Sequence, residues 1–271
     1  MSLPPWPVLL QVAVGGLLTG GVYALLVAGL TLIFGVMRVI NIAHGAFLVL
    51  GGYIAYWLFT LLRMDPIISI AVSAPAFFVI GVLTQRYLLA CVRQEPGLLV
   101  LVTFALAIVL EGVMGTLWRT TGRSVRTGYT AAVVPVTVGS ITFRLPVVQL
   151  VGFAAAVIAL GLLYLLLTRT DLGRAIRATM QNPDAAQLVG VNVARVRALT
   201  FGTALATVAA GGAVFSLIWT FNASSHEACP LIPCAGFCAH RTDACPRNRN
   251  GGHRLRASRP ASLQGRSGSW K

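Results

Sequence analysis

Apolar residues run along this chain in blocks of about twenty, and short polar stretches separate them. A membrane-crossing helix needs about 20 mainly apolar residues. The pattern predicts six spans: Val8–Phe34, Ile42–Leu62, Ile67–Leu89, Leu98–Trp118, Pro146–Leu167 and Leu199–Trp219. Arg63-Met-Asp65-Pro66 and Arg93-Gln-Glu95-Pro96-Gly97 are tight turn signals between spans. The longer link Arg119–Leu145 contains VVPVTVGSITFRLP, whose alternation and β-branching predict a short hairpin. The link Thr168–Arg197 is the longest interior polar segment. The expected fold class is all-α, a polytopic helical membrane protein.

Composition agrees. Hydrophobic residues make up 56% of the 271, charged residues only 10%, and mean hydropathy is +0.80. Soluble domains carry about 25% charged residues, so this chain cannot cover a water-facing surface. The N-terminus MSLPPWPVLLQ lacks a basic region, and the apolar run after it is too long for a cleavable signal. It reads as a first span that stays in place.

Net charge is +14, and six of those charges fall in the last 50 residues. No groove-reading module accompanies the basic tail, so nucleic acid is not an expected partner. Arg169, Arg174, Arg177, Arg195 and Arg197 crowd the fifth-to-sixth link, and basic links tend to stay in the cytoplasm. Parity then places the N-terminus outside. It also leaves Arg119, Arg123, Arg126 and Arg144 outside, against the same tendency.

Small residues mark packed helices. Gly16, Gly20, Ala24 and Ala28 recur every four residues in the first span, and Gly202, Ala206 and Ala210 do so in the sixth, with Thr203, Thr207 and Gly211 beside them. Such stripes let backbones approach closely, which predicts a bundle.

Three polar residues stand where hydrocarbon is expected. Arg38, Asn41 and His44 are three apart, on one side of a helical turn, with Gly35 and Gly45 flanking them. They mark either a broken helix beside a substrate path or a plain connector with Asn41 as an N-cap. Glu111, near the end of the fourth span, is an ion or proton site, or reaches the interface, or pairs with Arg119. Asn41, His44 and Glu111 are the candidate pathway residues.

Within Thr168–Arg197, Asp171-Leu-Gly173 starts a helix, Asn182-Pro183-Asp184 breaks it and starts another, and Gly190 ends that one. Leu188, Val189 and Val191 give the second helix an apolar side. The segment reads as a solvated linker or as a docking surface for a cytoplasmic partner.

Two stretches, GLTLIFGVMRVINIAHGAFLVLGGYIAYWL and LGRAIRATMQNPDAAQLVGVNVARVRALTFGTALATVAAGGAV, resemble the membrane permease of branched-chain amino-acid ABC importers. The resemblance runs from about Val8 to Leu217. It implies a permease domain over residues 1–221 in the inner membrane, with residues 168–197 as a cytoplasmic coupling loop. The implied contacts with an ATPase are Arg174, Arg177, Asn182, Ala185, Ala186, Leu188 and Gly190. The implied partners are a second permease, two ATPase subunits and a periplasmic binding protein. Branched-chain amino acids are the first substrate reading; urea and short amides are the alternative. The chain has no GxxxxGK[ST] loop, so hydrolysis is expected in the partners, and no cofactor is implied. The competing readings are a structural membrane protein and a secondary carrier driven through Glu111 and His44.

The tail 222–271 fits none of this. Cys229, Cys234, Cys238 and Cys245, with His226 and His240, only partly match zinc spacing and are interrupted by prolines. Disulfides would need the tail outside the cytoplasm. The family resembled continues with further apolar spans. A one-base shift across Phe237–Ala244 permits the apolar reading FALIVL. The expectation is therefore that the chain leaves its ancestral frame between Trp219 and Phe237, which would put transport in doubt.

Overall fold

The computed structural model describes residues 6–92, 96–119, 121–125, 127–128, 130, 132–138 and 141–223. The tail beyond Ala223, with its cysteines and most of the interval expected to hold the frame change, lies outside them. Among the described residues, six helices are long and apolar enough to cross a membrane, in agreement with the six predicted spans.

The spanning helices are α1 (Trp6–Met37), α2 (His44–Leu62), α3 (Pro66–Leu83), α4 (Pro96–Trp118), α5 (Val147–Arg169) and α8 (Val193–Ile218). A π-helical turn, Thr84–Leu89, and a 3₁₀ turn, Ala90–Val92, continue α3. The predicted hairpin is present as β1 (Val133–Val138) and β2 (Ile141–Pro146), antiparallel from Val133↔Pro146 to Val138↔Ile141. Two short helices, α6 (Asp171–Gln181) and α7 (Pro183–Leu188), fill the fifth-to-sixth link.

Helix α8 is the axis of the bundle, with α1, α2 and α3 packed around it. Most of its residues are buried, because its small side chains admit neighbours from several sides. A Cβ on Gly81 of α3 would stand 2.8 Å from the Cα of Gly202. Gly51 of α2 lies nearly as closely over Ala209, where its Cβ would meet that Cα at 3.1 Å. Apolar residues on α3, α4 and α5, among them Val79, Phe104, Ile108 and Ile158, remain exposed, as suits helices that meet lipid or another membrane subunit.

The small-residue stripe of α1 is not its packing face. Gly16, Gly20 and Ala24 are exposed, and a Cβ on Gly16 or Gly20 would meet nothing within 4 Å among the described residues. The buried side carries Val22, Leu25, Leu26 and Gly29 instead.

One end of the bundle is closed by aromatic packing. Tyr53 stacks on Trp118 at 4.6 Å and meets Phe221 edge-on at 5.0 Å. The Arg123 guanidinium lies 5.0 Å over the Tyr56 ring, and Arg123 and Phe221 exchange backbone hydrogen bonds of 2.8 and 2.9 Å. The α6–α7 pair occupies the other end, beyond the C-terminus of α5 and before the start of α8.

Candidate functional site

Two groups of residues answer to the sequence-predicted sites: a broken stretch inside the bundle and the α6–α7 pair at its end.

The break lies between α1 and α2. Arg38 ends α1 in the left-handed region, at φ 53°. The glycines expected to permit the break do not make it. Gly35 is helical and packs against Met180 of α6, and Gly45 is already in the first turn of α2. Residues 38–43 are non-helical, so Arg38, Asn41 and His44 do not share one side of a helical turn. Arg38 is exposed, whereas Asn41 and His44 are only 4% and 3% exposed.

The connector turns back into the bundle. His44 Nε2 lies 3.0 Å from the Leu26 carbonyl oxygen. Leu26 sits eleven residues before the end of α1, about 16 Å along the axis at 1.5 Å per residue. Helix α2 therefore begins deep in the bundle. Its first residue abuts Gly29 and Thr207: a Cβ on Gly29 would stand 2.7 Å from Thr207 Oγ1 and 3.1 Å from His44 Cε1. Thr207 lies near the middle of α8. Non-helical backbone at such depth is tolerated where protein covers it or where it lines a cavity.

Local hydrogen bonds hold the turn. Asn41 Oδ1 accepts from the Ala43 N–H at 3.1 Å, and Thr103 Oγ1 of α4 accepts from the Ile42 N–H at 3.4 Å. Asn41 is thus a turn-former rather than the N-cap of α2, whose cap position is Ala43. Two polar atoms stay open: Asn41 Nδ2 and His44 Nδ1 are buried without a hydrogen-bond partner among the described residues. Each open buried atom costs about 1–3 kcal/mol, a cost that a passing polar solute or a water can offset.

Glu111 does not join this group. It is half-buried in α4, eight residues beyond Thr103, about 12 Å further along the helix. Thr103 is the residue the sequence reading missed. A lone threonine in an apolar span carries no signal until the facing N–H is known.

The α6–α7 pair is built by caps. Thr170 Oγ1 accepts from the Gly173 N–H at 3.1 Å and starts α6. Asn182 Oδ1 accepts from the N–H groups of Asp184 and Ala185, at 3.0 and 3.1 Å, and starts α7 at Pro183. Gly190, at φ 87°, ends it. The Val191 N–H donates to the Ala186 carbonyl and the Gly190 N–H to the Gln187 carbonyl, both at 3.0 Å, which is the Schellman pattern. The Asn182→Ala variant is expected to lower stability by about 1 kcal/mol, and a thermal melt of the purified chain checks it.

The inner face of α6 is Gly173, Ile176 and Thr179, all buried. Gly173 sits directly on the backbone of Leu166 and Leu167, so α6 folds tightly back on α5. The outer face carries Arg174 and Arg177, both exposed, with Arg174 paired to Asp171. Asn182, Ala185 and Gly190 are exposed too. Leu188 and Val189, 89% and 78% exposed, form an apolar knuckle at the tip. Ala186 differs from its predicted contact role: it is 3% exposed and faces the bundle, because the turn closing α7 rolls that side inward.

The model of the branched-chain amino acid transport system / permease component family matches residues 12–231. The chain belongs to this family. The permease is 30% identical over 202 residues to a probable branched-chain amino acid transport permease protein LivH of Methanocaldococcus jannaschii, covering 73% of this chain and 64% of that one. It is 30% identical to the high-affinity branched-chain amino acid transport system permease protein BraD of Pseudomonas aeruginosa, covering 74% and 69%. For LivH of Escherichia coli K12 the identity is 26%, covering 74% and 68%. The permease thus spans about two thirds of the length of these relatives. No solved structure matches it. With six apolar helices among the described residues, it is a multi-pass protein of the inner membrane.

Proposed function

We propose that this permease forms half of the membrane pathway of an ATP-binding-cassette importer for branched-chain amino acids. A second permease completes the pathway, two cytoplasmic ATPase subunits drive it, and a periplasmic binding protein loads it. The observation that carries this reading is the capped α6–α7 pair. It offers an exposed Leu188–Val189 knuckle and an arginine-bearing face at one end of the bundle. An apolar knuckle on a rigid support is suited to a cleft on a moving partner.

The pair is also mechanically connected. Met180 of α6 bears on Gly35 at the end of α1, and α7 leads through Val191 and Asn192 into α8. A push on α7 therefore reaches both helices that flank His44. In this reading Asn41 and His44 line the path at the break, where their open nitrogens meet a polar solute. Glu111 stands apart from them on α4 and takes a structural part.

The test is uptake into proteoliposomes holding this chain, its neighbouring permease, the ATPases and the binding protein. Leucine uptake that requires internal ATP is the expected result. Uptake driven by a proton gradient without ATP would instead make the protein a secondary carrier and sink the proposal. Urea or a short amide out-competing leucine would correct the substrate while leaving the mechanism. His44→Ala is expected to lower uptake at least tenfold while the assembled complex still co-purifies. That magnitude corresponds to about 1.4 kcal/mol.

A further inference from the structure

A recess lies where α3 ends and α8 begins, on the same side of the bundle as α6 and α7. It is a cavity of about 330 Å³. Arg86, Arg195 and Arg197 line it from the two helices, and among the described residues no acidic one does. Gln85, Asn192 and the apolar Leu199 complete the parts that matter.

Several features converge there. The α3 segment is π-helical over Thr84–Leu89, and the wider turn buries Gln85 and Leu89 together while Arg86 stays exposed. π-Turns inside α-helices recur at functional sites. Asn192 caps α8, its Oδ1 accepting from the Arg195 N–H at 3.0 Å, so the positive end of a 26-residue helix lies at the cavity wall. Gln85 is 4% exposed, and its Oε1 has no donor among the described residues. The exposed guanidinium groups of Arg86 and Arg195, beside a helix N-terminus, call for an anion. An open carbonyl oxygen beside them calls for a hydroxyl. The apolar wall at Leu199 and its position between two membrane-spanning helices call for a hydrocarbon chain.

We propose that the recess between α3 and α8 holds the headgroup of an anionic glycerophospholipid. The phosphate sits among Arg86, Arg195 and Arg197, and a headgroup hydroxyl donates to Gln85. Basic pockets between membrane helices are suited to such headgroups. A protein partner is the weaker fit, because the recess is sunk between two helices, whereas the Leu188–Val189 knuckle projects. Lipid retention does not depend on the importer reading; only the co-purification arm of the test rests on it.

The experiment is native mass spectrometry of the full chain in neutral detergent, titrated with phosphatidylglycerol, phosphatidic acid, phosphatidylcholine or inorganic phosphate. Retention of phosphatidylglycerol over phosphatidylcholine is expected. Each arginine is expected to contribute about fivefold. The combined variant R86Q/R195Q/R197Q then loses roughly a hundredfold, while R63Q, outside the recess, loses nothing. Should the combined variant fail to fold, R86Q alone at an exposed position is expected to lose about fivefold. Q85L is expected to weaken phosphatidylglycerol, which carries headgroup hydroxyls, and to spare phosphatidic acid. Unchanged retention in the arginine variants overturns the proposal, as does full competition by millimolar inorganic phosphate. So does a combined variant that keeps the lipid but no longer co-purifies with its ATPase, since the arginines would then be a protein contact.

Discussion

Gly212→Val is expected to leave the permease unable to reach its packed state. A Cβ at Gly212 would fall on the carbonyl oxygen of Leu48, 2.8 Å from the Gly52 nitrogen and 3.0 Å from the Gly51 carbonyl carbon. All of these are backbone atoms of α2, so no side chain can turn aside to make room. Helices α2 and α8 must separate instead, and the closely set pair Gly51 and Ala209 one turn away separates with them. Overpacking a core costs roughly 1–3 kcal/mol where neighbours can adjust. Here they cannot, so about 3 kcal/mol or more is expected. Thermal melting of the full chain in detergent checks it, with Gly16→Ala as the control. Nothing among the described residues lies within 4 Å of a Cβ at Gly16, and alanine is the better helix former by about 1 kcal/mol. The control should melt no lower than the parent. If Gly212→Val melts with it, α2 does not pack on α8 as described.

That contrast shows where sequence reading stops. Gly16 belongs to the stripe read as a helix contact, whereas Gly212 stands one position past Gly211 and was not singled out. Only the partner decides. The first span offers two faces, because Gly15-Gly16 and Gly20-Gly21 supply small residues to both. The face chosen is the one that also carries Leu25, Leu26 and Gly29. The spans themselves were legible because a bilayer demands long apolar runs, and the hairpin because its alternation has period two. The starts of α6 and α7 were legible to the residue, since Thr170, Asp171, Asn182 and Pro183 are local signals; α7 ends at Leu188, so Val189 and Val191, read as part of its apolar side, lie beyond it. The break at Arg38 was located but misbuilt. A three-residue spacing implies a helix only while the chain stays helical, and a left-handed arginine carries no signature in sequence. How deeply His44 is set follows from its bond to the Leu26 carbonyl, a contact no local pattern encodes.

The double variant Leu188→Asp with Val189→Asp is expected to abolish ATP-driven uptake while leaving the permease folded. Both side chains are nearly free of the rest of the chain, at 89% and 78% exposed, so replacing them removes little packing. Exposed substitutions of this kind usually fall within about 0.5 kcal/mol, and the melting temperature should barely move. The α7 backbone is held independently by the Asn182 cap and the Schellman turn at Gly190, neither of which uses these side chains. What changes is the chemistry of the tip. An apolar knuckle seated in a partner's cleft contributes about 1.5–3 kcal/mol for each side chain fully buried. Two carboxylates forced into the same cleft add a desolvation cost of several kcal/mol each. Together these exceed what a reversible docking contact can lose. The ATPase should therefore no longer co-purify, and uptake should fall to background. Leu188→Met, which keeps the apolar volume, should retain both. An Asp pair that still binds its ATPase and transports would mean the knuckle is not the contact. Coupling would then have to run through the arginine face of α6, where Arg174→Ala with Arg177→Ala becomes the deciding variant.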